Sequence, residues 1–127
     1  MPLVRIAHAS GKPAPFAAAL GRGVHDALVE VFGIPTNDYF QIITEHAAGT
    51  GIVGPEEFLG IRHSPELVIV QVACAERRGT EQKKALYKAI VGNLARDAGV
   101  PAADVIINLV ETRRENWSFG NGEAPFA

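Results

Sequence analysis

Apolar and polar positions alternate between two rhythms, and the order of those rhythms repeats. Pro2-Leu3-Val4-Arg5-Ile6-Ala7 is an apolar run that reads as a strand, and Ser10-Gly11-Lys12-Pro13 after it reads as a turn. From about Pro13 to Phe32 the apolar residues Ala17, Leu20, Val24, Leu28 and Val31 recur at helical spacing. Arg22, Asp26 and Glu30 lie off that face. Gly21 and Gly23 each cost such a helix about 1 kcal/mol relative to Ala, which close packing of the helix on a sheet would explain. Gly33-Ile34-Pro35 ends the helix, because Gly suits a left-handed C-terminal position and Pro prevents continuation. Tyr39 to Glu45 is aromatic and β-branched and reads as a strand, whereas His46 to Gly60, with four glycines and Pro55, reads as loop or short irregular strand.

The second half follows the same course. Leu67 to Cys74 reads as a strand and Thr80 to Ala98 as a helix, with Thr80 as N-cap, Glu81 in the first turn and Leu86, Ile90 and Leu94 on one face. Gly99-Val100-Pro101 ends that helix, and Val105 to Val110 is a further strand. One offset of 66 residues relates Gly33-Ile34-Pro35 and Asp38 to Gly99-Val100-Pro101 and Asp104, Glu45 to Glu111, and Leu20 to Leu86. A register held through strand, helix and strand points to a duplicated β-α-β unit. The expected fold is α+β, a single domain over residues 1–127, with units at about 2–46 and 67–111 and a tail at 112–127. Its four-stranded mixed sheet carries both helices on one face. The other face, with Phe40 and Ile42, has few polar positions, and further copies of the chain are the economical cover.

Composition narrows the function. The 127 residues carry a net charge of −2, which argues against a nucleic-acid partner. No apolar run approaches the roughly 20 residues of a membrane span, and no signal peptide is visible. Cys74 is the only cysteine, placed in an apolar run where a buried structural thiol is expected; the absence of an intramolecular disulfide suits a cytoplasmic location. The four histidines lack ligand spacing, so no metal site is expected.

Candidate chemistry sits at the chain start. If Met1 is removed, Pro2 becomes an N-terminal secondary amine, able to act as acid, base or nucleophile without a cofactor. The plain alternative is a proline tolerated at a strand start. Arg77 and Arg78 directly precede a helix N-terminus, where amide N–H groups and the helix dipole also favour an anion. They read either as a carboxylate clamp or as solvated partners of Glu76 and Glu81. Asp38 reads either as a chemical group or as a turn cap, since Asp104 holds the same place in the second unit. Trp117, Phe119 and Phe126 lie in a Gly/Asn/Pro-bearing tail that can form a short hairpin, and they should wall a pocket or pack on a neighbour. Arg113 and Arg114 read as surface charges.

A proline on the first strand of a doubled β-α-β unit resembles the tautomerase superfamily. Together with Gly33-Ile34-Pro35-Thr36-Asn37-Asp38, Glu81-Gln82-Lys83 and Asn116-Trp117-Ser118-Phe119-Gly120-Asn121-Gly122, it resembles the malonate semialdehyde decarboxylase branch in particular. The resemblance implies a homotrimer, a catalytic Pro2, an Asp38 that positions or activates water, and a hydrophobic wall from Trp117, Phe119 and Phe126. It also implies two arginines holding a substrate carboxylate. Arg78 matches one; the other position falls on Glu76, and Arg77 can substitute if the backbone bulges. The expected activity is decarboxylation of a small 3-oxo acid such as malonate semialdehyde. The alternatives are a tautomerase or hydratase with neutral Pro2 as base, and a non-catalytic trimeric interaction protein.

Overall fold

The structure is a computed structural model describing residues 1–127. Four strands form the main sheet: β1 (Pro2–Ala9), β2 (Phe40–His46), β5 (Val68–Ala75) and β6 (Val105–Thr112). Their order is β2-β1-β5-β6, with β1 parallel to β2, β5 parallel to β6, and β1 antiparallel to β5. Two parallel units joined by an antiparallel seam make the sheet mixed, as the sequence repeat predicts. Between the units, β3 (Glu57–Phe58) and β4 (Ile61–Arg62) pair as a small hairpin inside the stretch expected to be loop. Its two-residue turn places Leu59 and Gly60 at φ 52° and 80°, the conformation such a turn requires. No helix is long and apolar enough to cross a membrane.

Helix α1 (Pro15–Ala27) begins two residues later than predicted, with Pro15 in its first turn, where a missing N–H costs nothing. It then widens into one π turn, Leu28–Phe32, before closing at Gly33, φ 68°. The widened turn leaves carbonyls to be satisfied from outside: Gln82 Nε2 donates to Val31 O and Arg78 Nη2 to Phe32 O, both at 3.0 Å. Helix α2 (Thr80–Ala98) corrects one expectation. Gly79, not Thr80, is its N-cap, with extended backbone and no side-chain cap; Thr80 is already helical. The Gly79 carbonyl takes the Lys83 N–H, so the first turn closes without a hydroxyl.

Both helices cover one face of the sheet. Val4, Ile6, Val70 and Val72 from the central strands meet Leu20, Val24 and Leu28 of α1 and Leu86, Ile90 and Leu94 of α2, all fully buried. The two helical glycines have different reasons. A Cβ on Gly21 would meet Gln41 of β2 at 2.5 Å, the expected helix-to-sheet approach, and Gln41 Nε2 donates to the Gly21 carbonyl. A Cβ on Gly23 would meet Leu94 Cδ2 at 2.9 Å, so Gly23 instead lets the two helices touch. Buried Asn93 donates to the Gly23 carbonyl across that contact.

The opposite face is open. Leu3, Phe40, Ile42, Ile106 and Val110 are exposed there, around a polar middle row that includes Arg5, Gln71 and Asn108. The 112–127 tail does not form a hairpin. It makes a 3₁₀ turn at Arg114–Asn116 and then isolated turns, with Asn121 and Gly122 at positive φ.

Candidate active site

The start of β1, the α1 exit, the β5–α2 junction and the tail converge on one cavity of about 420 Å³. Gly33 redirects the chain so that Ile34, Pro35, Asn37 and Asp38 form one side. Arg77 and Arg78 reach it from between β5 and α2, and Phe119, Phe126 and Arg114 from the tail. Met1 lines it too, and its ammonium is ion-paired with the Asp38 carboxylate. Pro2 lies directly behind Met1, buried as the first residue of β1 and registered against Cys74.

Each predicted residue therefore has a definite place. Asp38, Arg77, Arg78, Phe119 and Phe126 share the cavity wall. Trp117 stands behind that wall, stacked on Phe119 at 5.5 Å and 10°. Phe119 also touches Phe40 and Phe126, with ring centroids 5.7 and 5.9 Å away. Trp117 Nε1 donates to Thr112 Oγ1 at 2.7 Å, and that hydroxyl donates to the Cys74 carbonyl at 3.1 Å, which ties the tail to β5 and β6. Glu76 is exposed and not on the wall, whereas Arg77 is; β5 has ended at Ala75, so the next side chains no longer alternate as in a strand.

The sequence reading placed Arg114 among surface charges. The structure puts it on the cavity wall, 5.3 Å from the centroid of the Phe126 ring. Both arginines are exposed, as expected of surface charges, but Arg113 lies off the cavity wall and pairs with Glu115 at 3.7 Å. The only sequence signal was the closeness of Arg114 to the aromatic tail, a signal Arg113 shares.

The electrostatics are lopsided. Arg77, Arg78 and Arg114 are paired with no carboxylate, and the one carboxylate on the wall, Asp38, is taken by the Met1 ammonium. Arg78 rests 4.5 Å over the Phe32 ring while donating to the Phe32 carbonyl. Burial pushes its guanidinium below the ordinary value, and the neighbouring Arg77 charge adds to that. Burial pushes the Cys74 thiol up, partly offset by Arg78. Such a cavity suits a small anion held against an apolar wall beside an amine.

A second cavity, of about 320 Å³, lies at the other end of β1. Lys12, Val68, Gly99 and Asp104 line it, each 66 positions from Arg78, Pro2, Gly33 and Asp38 respectively. Its chemistry is closed off: Lys12 pairs with Glu66, and Asp104 accepts both the Ser64 N–H and hydroxyl.

Comparison with known proteins decides the family. Residues 38–120 and residues 2–58 each match a family described as tautomerase enzyme. The chain belongs to the tautomerase family. The chain is 36% identical to the probable tautomerase YusQ of Bacillus subtilis (strain 168), over 98% of its own length and 97% of that protein's. The probable tautomerase YrdN of the same organism is 32% identical over 99% and 96%. Among solved structures, FG41 malonate semialdehyde decarboxylase inhibited by 3-bromopropiolate is 39% identical, with a TM-score of 0.90 over 96% of this chain and 92% of that one. A second malonate semialdehyde decarboxylase, described as wild type, as an inactivated form and as a Pro-to-Ala mutant at its first position, is 35% identical, with a TM-score of 0.88 over 98% and 95%. Its decarboxylase and hydratase activities are given a structural basis there. A fused 4-OT symmetric trimer is 26% identical, with a TM-score of 0.78 over 95% and 94%.

Proposed function

We propose that this member of the tautomerase family decarboxylates a small 3-oxo acid, such as malonate semialdehyde, with the Pro2 amine exposed by loss of Met1. One observation supports the reading above the others: the chain's amino terminus lies inside the arginine-rich cavity, held by Asp38. Without Met1, the Pro2 nitrogen becomes the first atom of the chain at that edge of the cavity. Asp38, which holds the terminal ammonium of Met1, stands beside it. A cationic Pro2 then polarises the substrate carbonyl and stabilises the enolate formed as carbon dioxide leaves. Arg78, helped by Arg77, holds the carboxylate, and Phe119 and Phe126, backed by Trp117, keep water away. Asp38 positions the amine.

The decarboxylases at 39% and 35% identity favour this reading. The probable tautomerases at 36% and 32% favour a second, in which neutral Pro2 moves a proton between carbon and oxygen of an enol or keto acid. The test uses protein whose mass confirms that Met1 is absent, incubated with malonate semialdehyde and, separately, with small enol acids. Carbon dioxide release above background supports decarboxylation; ketonisation without it supports the second reading.

We further propose a homotrimer in which the open sheet face, with Leu3, Phe40, Ile42, Ile106 and Val110, is covered by neighbouring copies. The fused 4-OT trimer supports this arrangement. Sedimentation equilibrium at micromolar concentration should give three times 13.5 kDa; a stable monomer would contradict it.

A further inference from the structure

We propose that Arg114 is a substrate-binding residue and that the cavity takes a small 3-oxo acid carrying two carboxylates rather than one. The proposal rests on the decarboxylase reading above for its chemistry and on the charge count of the cavity for its substrate class. Three guanidinium groups, from Arg77, Arg78 and Arg114, line a space of about 420 Å³ with one carboxylate among them, and that carboxylate already holds the amino terminus. None of the three is neutralised by an acidic side chain. Like charges gathered around a cavity repel one another and await a counter-charge. One carboxylate offers two oxygens and is satisfied by a single bidentate arginine or by two sharing it. A third arginine, from a different element, asks for a second anionic group.

Arg114 is suited to that role by its setting. It comes from the tail rather than from the β5–α2 junction, so it addresses a different part of the bound molecule from Arg77 and Arg78. Its one close partner is the Phe126 ring, an attraction that holds the guanidinium without using its N–H donors. All five remain free for a ligand.

A four-carbon 3-oxo diacid fits. Its leaving carboxylate lies on Arg78 and Arg77, its carbonyl faces the Pro2 ammonium, and its retained carboxylate takes Arg114. The bond between the methylene carbon and the leaving carboxylate breaks. Its electron pair forms the enolate, whose negative oxygen is held by Pro2, and carbon dioxide departs. A proton then returns to the methylene carbon, leaving a 2-oxo monoacid. No electron is gained or lost, and no co-reactant is required.

The test has a binding arm and a turnover arm, both on Met1-free protein. Calorimetry compares succinate with butyrate, which share four carbons and differ by one carboxylate. Succinate should bind at least tenfold more tightly, and Arg114→Gln should bring the two within threefold by weakening succinate alone. In the turnover arm, kcat/KM for oxaloacetate should exceed that for malonate semialdehyde at least tenfold, and Arg114→Gln should abolish the excess. Equal binding of the two acids, or an Arg114→Gln variant that still prefers succinate, overturns the proposal even if malonate semialdehyde is turned over. If neither oxo acid reacts while succinate preference depends on Arg114, the decarboxylase reading falls and the dianion site stands.

Discussion

Asp38 and Asp104, 66 residues apart, occupy the same turn in the two halves of the chain but are satisfied in opposite ways. Asp38 receives the Met1 ammonium at the edge of a cavity, whereas Asp104 is buried and receives the N–H and hydroxyl of Ser64 at 2.8 and 2.6 Å. One is exposed to chemistry and the other fastens the β4–β5 connection. Asp104→Ala should therefore lower stability by about 1–3 kcal/mol, since two hydrogen bonds to a buried carboxylate are lost. Urea unfolding measures it, and kcat/KM of the folded variant should stay within a few-fold of the parent.

The Pro2 amine carries the proposed chemistry, so its ring and its freedom should both matter. Pro2→Ala keeps a terminal amine but loses the ring, and turnover should fall at least tenfold, about 1.4 kcal/mol of transition-state stabilisation. Protein retaining Met1 should be equally impaired. Undiminished activity in either preparation would remove Pro2 from the mechanism.

Arg78 should matter more than Arg77. It is half-buried and anchored on Phe32, whereas Arg77 is exposed. Arg78→Ala should cost about 2 kcal/mol in kcat/KM, roughly 30-fold, the low end for truncating one member of a desolvated charge pair. Arg77→Ala should cost only a few-fold, and Glu76→Gln, off the cavity wall, almost nothing. Because Arg78 also satisfies a carbonyl of the π turn, thermal unfolding must accompany the kinetics. If Arg77→Ala is the worst of the three, the clamp is Arg77.

The two faces of helical glycine give a stability contrast. Gly23→Ala forces a methyl against Leu94, 2.9 Å away in a fully packed contact, and should cost about 1–3 kcal/mol. A Cβ at Gly92, in the middle of α2, would meet nothing within 4 Å. Gly92→Ala should instead stabilise by about 0.5–1 kcal/mol from helix propensity alone. Similar melting temperatures for the two variants would refute the helix–helix account of Gly23.

Cys74 sets a pH dependence. Burial raises its thiol above the ordinary value of 9.0, so folding favours the neutral form. The stability tied to it is intact below about pH 9 and is lost as pH climbs towards the raised folded value. Between pH 8 and pH 10 the parent should lose more unfolding free energy than Cys74→Ala. An equal loss in the two proteins would show that the thiol does not contribute.

Much of the architecture was legible because it depends on local rhythm. The apolar runs of β1 and β5, helical spacing at Leu20–Val24 and Leu86–Ile90–Leu94, and the common offset of 66 point to two units, one sheet and helices on one side. What was not legible depends on partners distant in sequence. The π turn at Leu28–Phe32 is held open by Arg78 and Gln82, 46 and 51 residues from their acceptors. Gly23 serves a helix that the helix-to-sheet reading did not consider. In the site, Asp38 and the paired arginines carried a motif, but Arg114 did not: nothing local separates it from Arg113, both are exposed, and only the fold of the tail sets one against the cavity and the other against Glu115.

The hydroxyl of Thr112 accepts from the Trp117 indole and donates to the Cys74 carbonyl. Trp117 in turn backs Phe119, so the tail side of the cavity is positioned by an oxygen atom that is not itself on the cavity wall. A hydroxyl that gives and takes at once has direction, and an isosteric valine would silence both roles without changing the volume filled. Sequence drift at this one remote position can thus reshape the cavity while every wall-forming side chain stays the same.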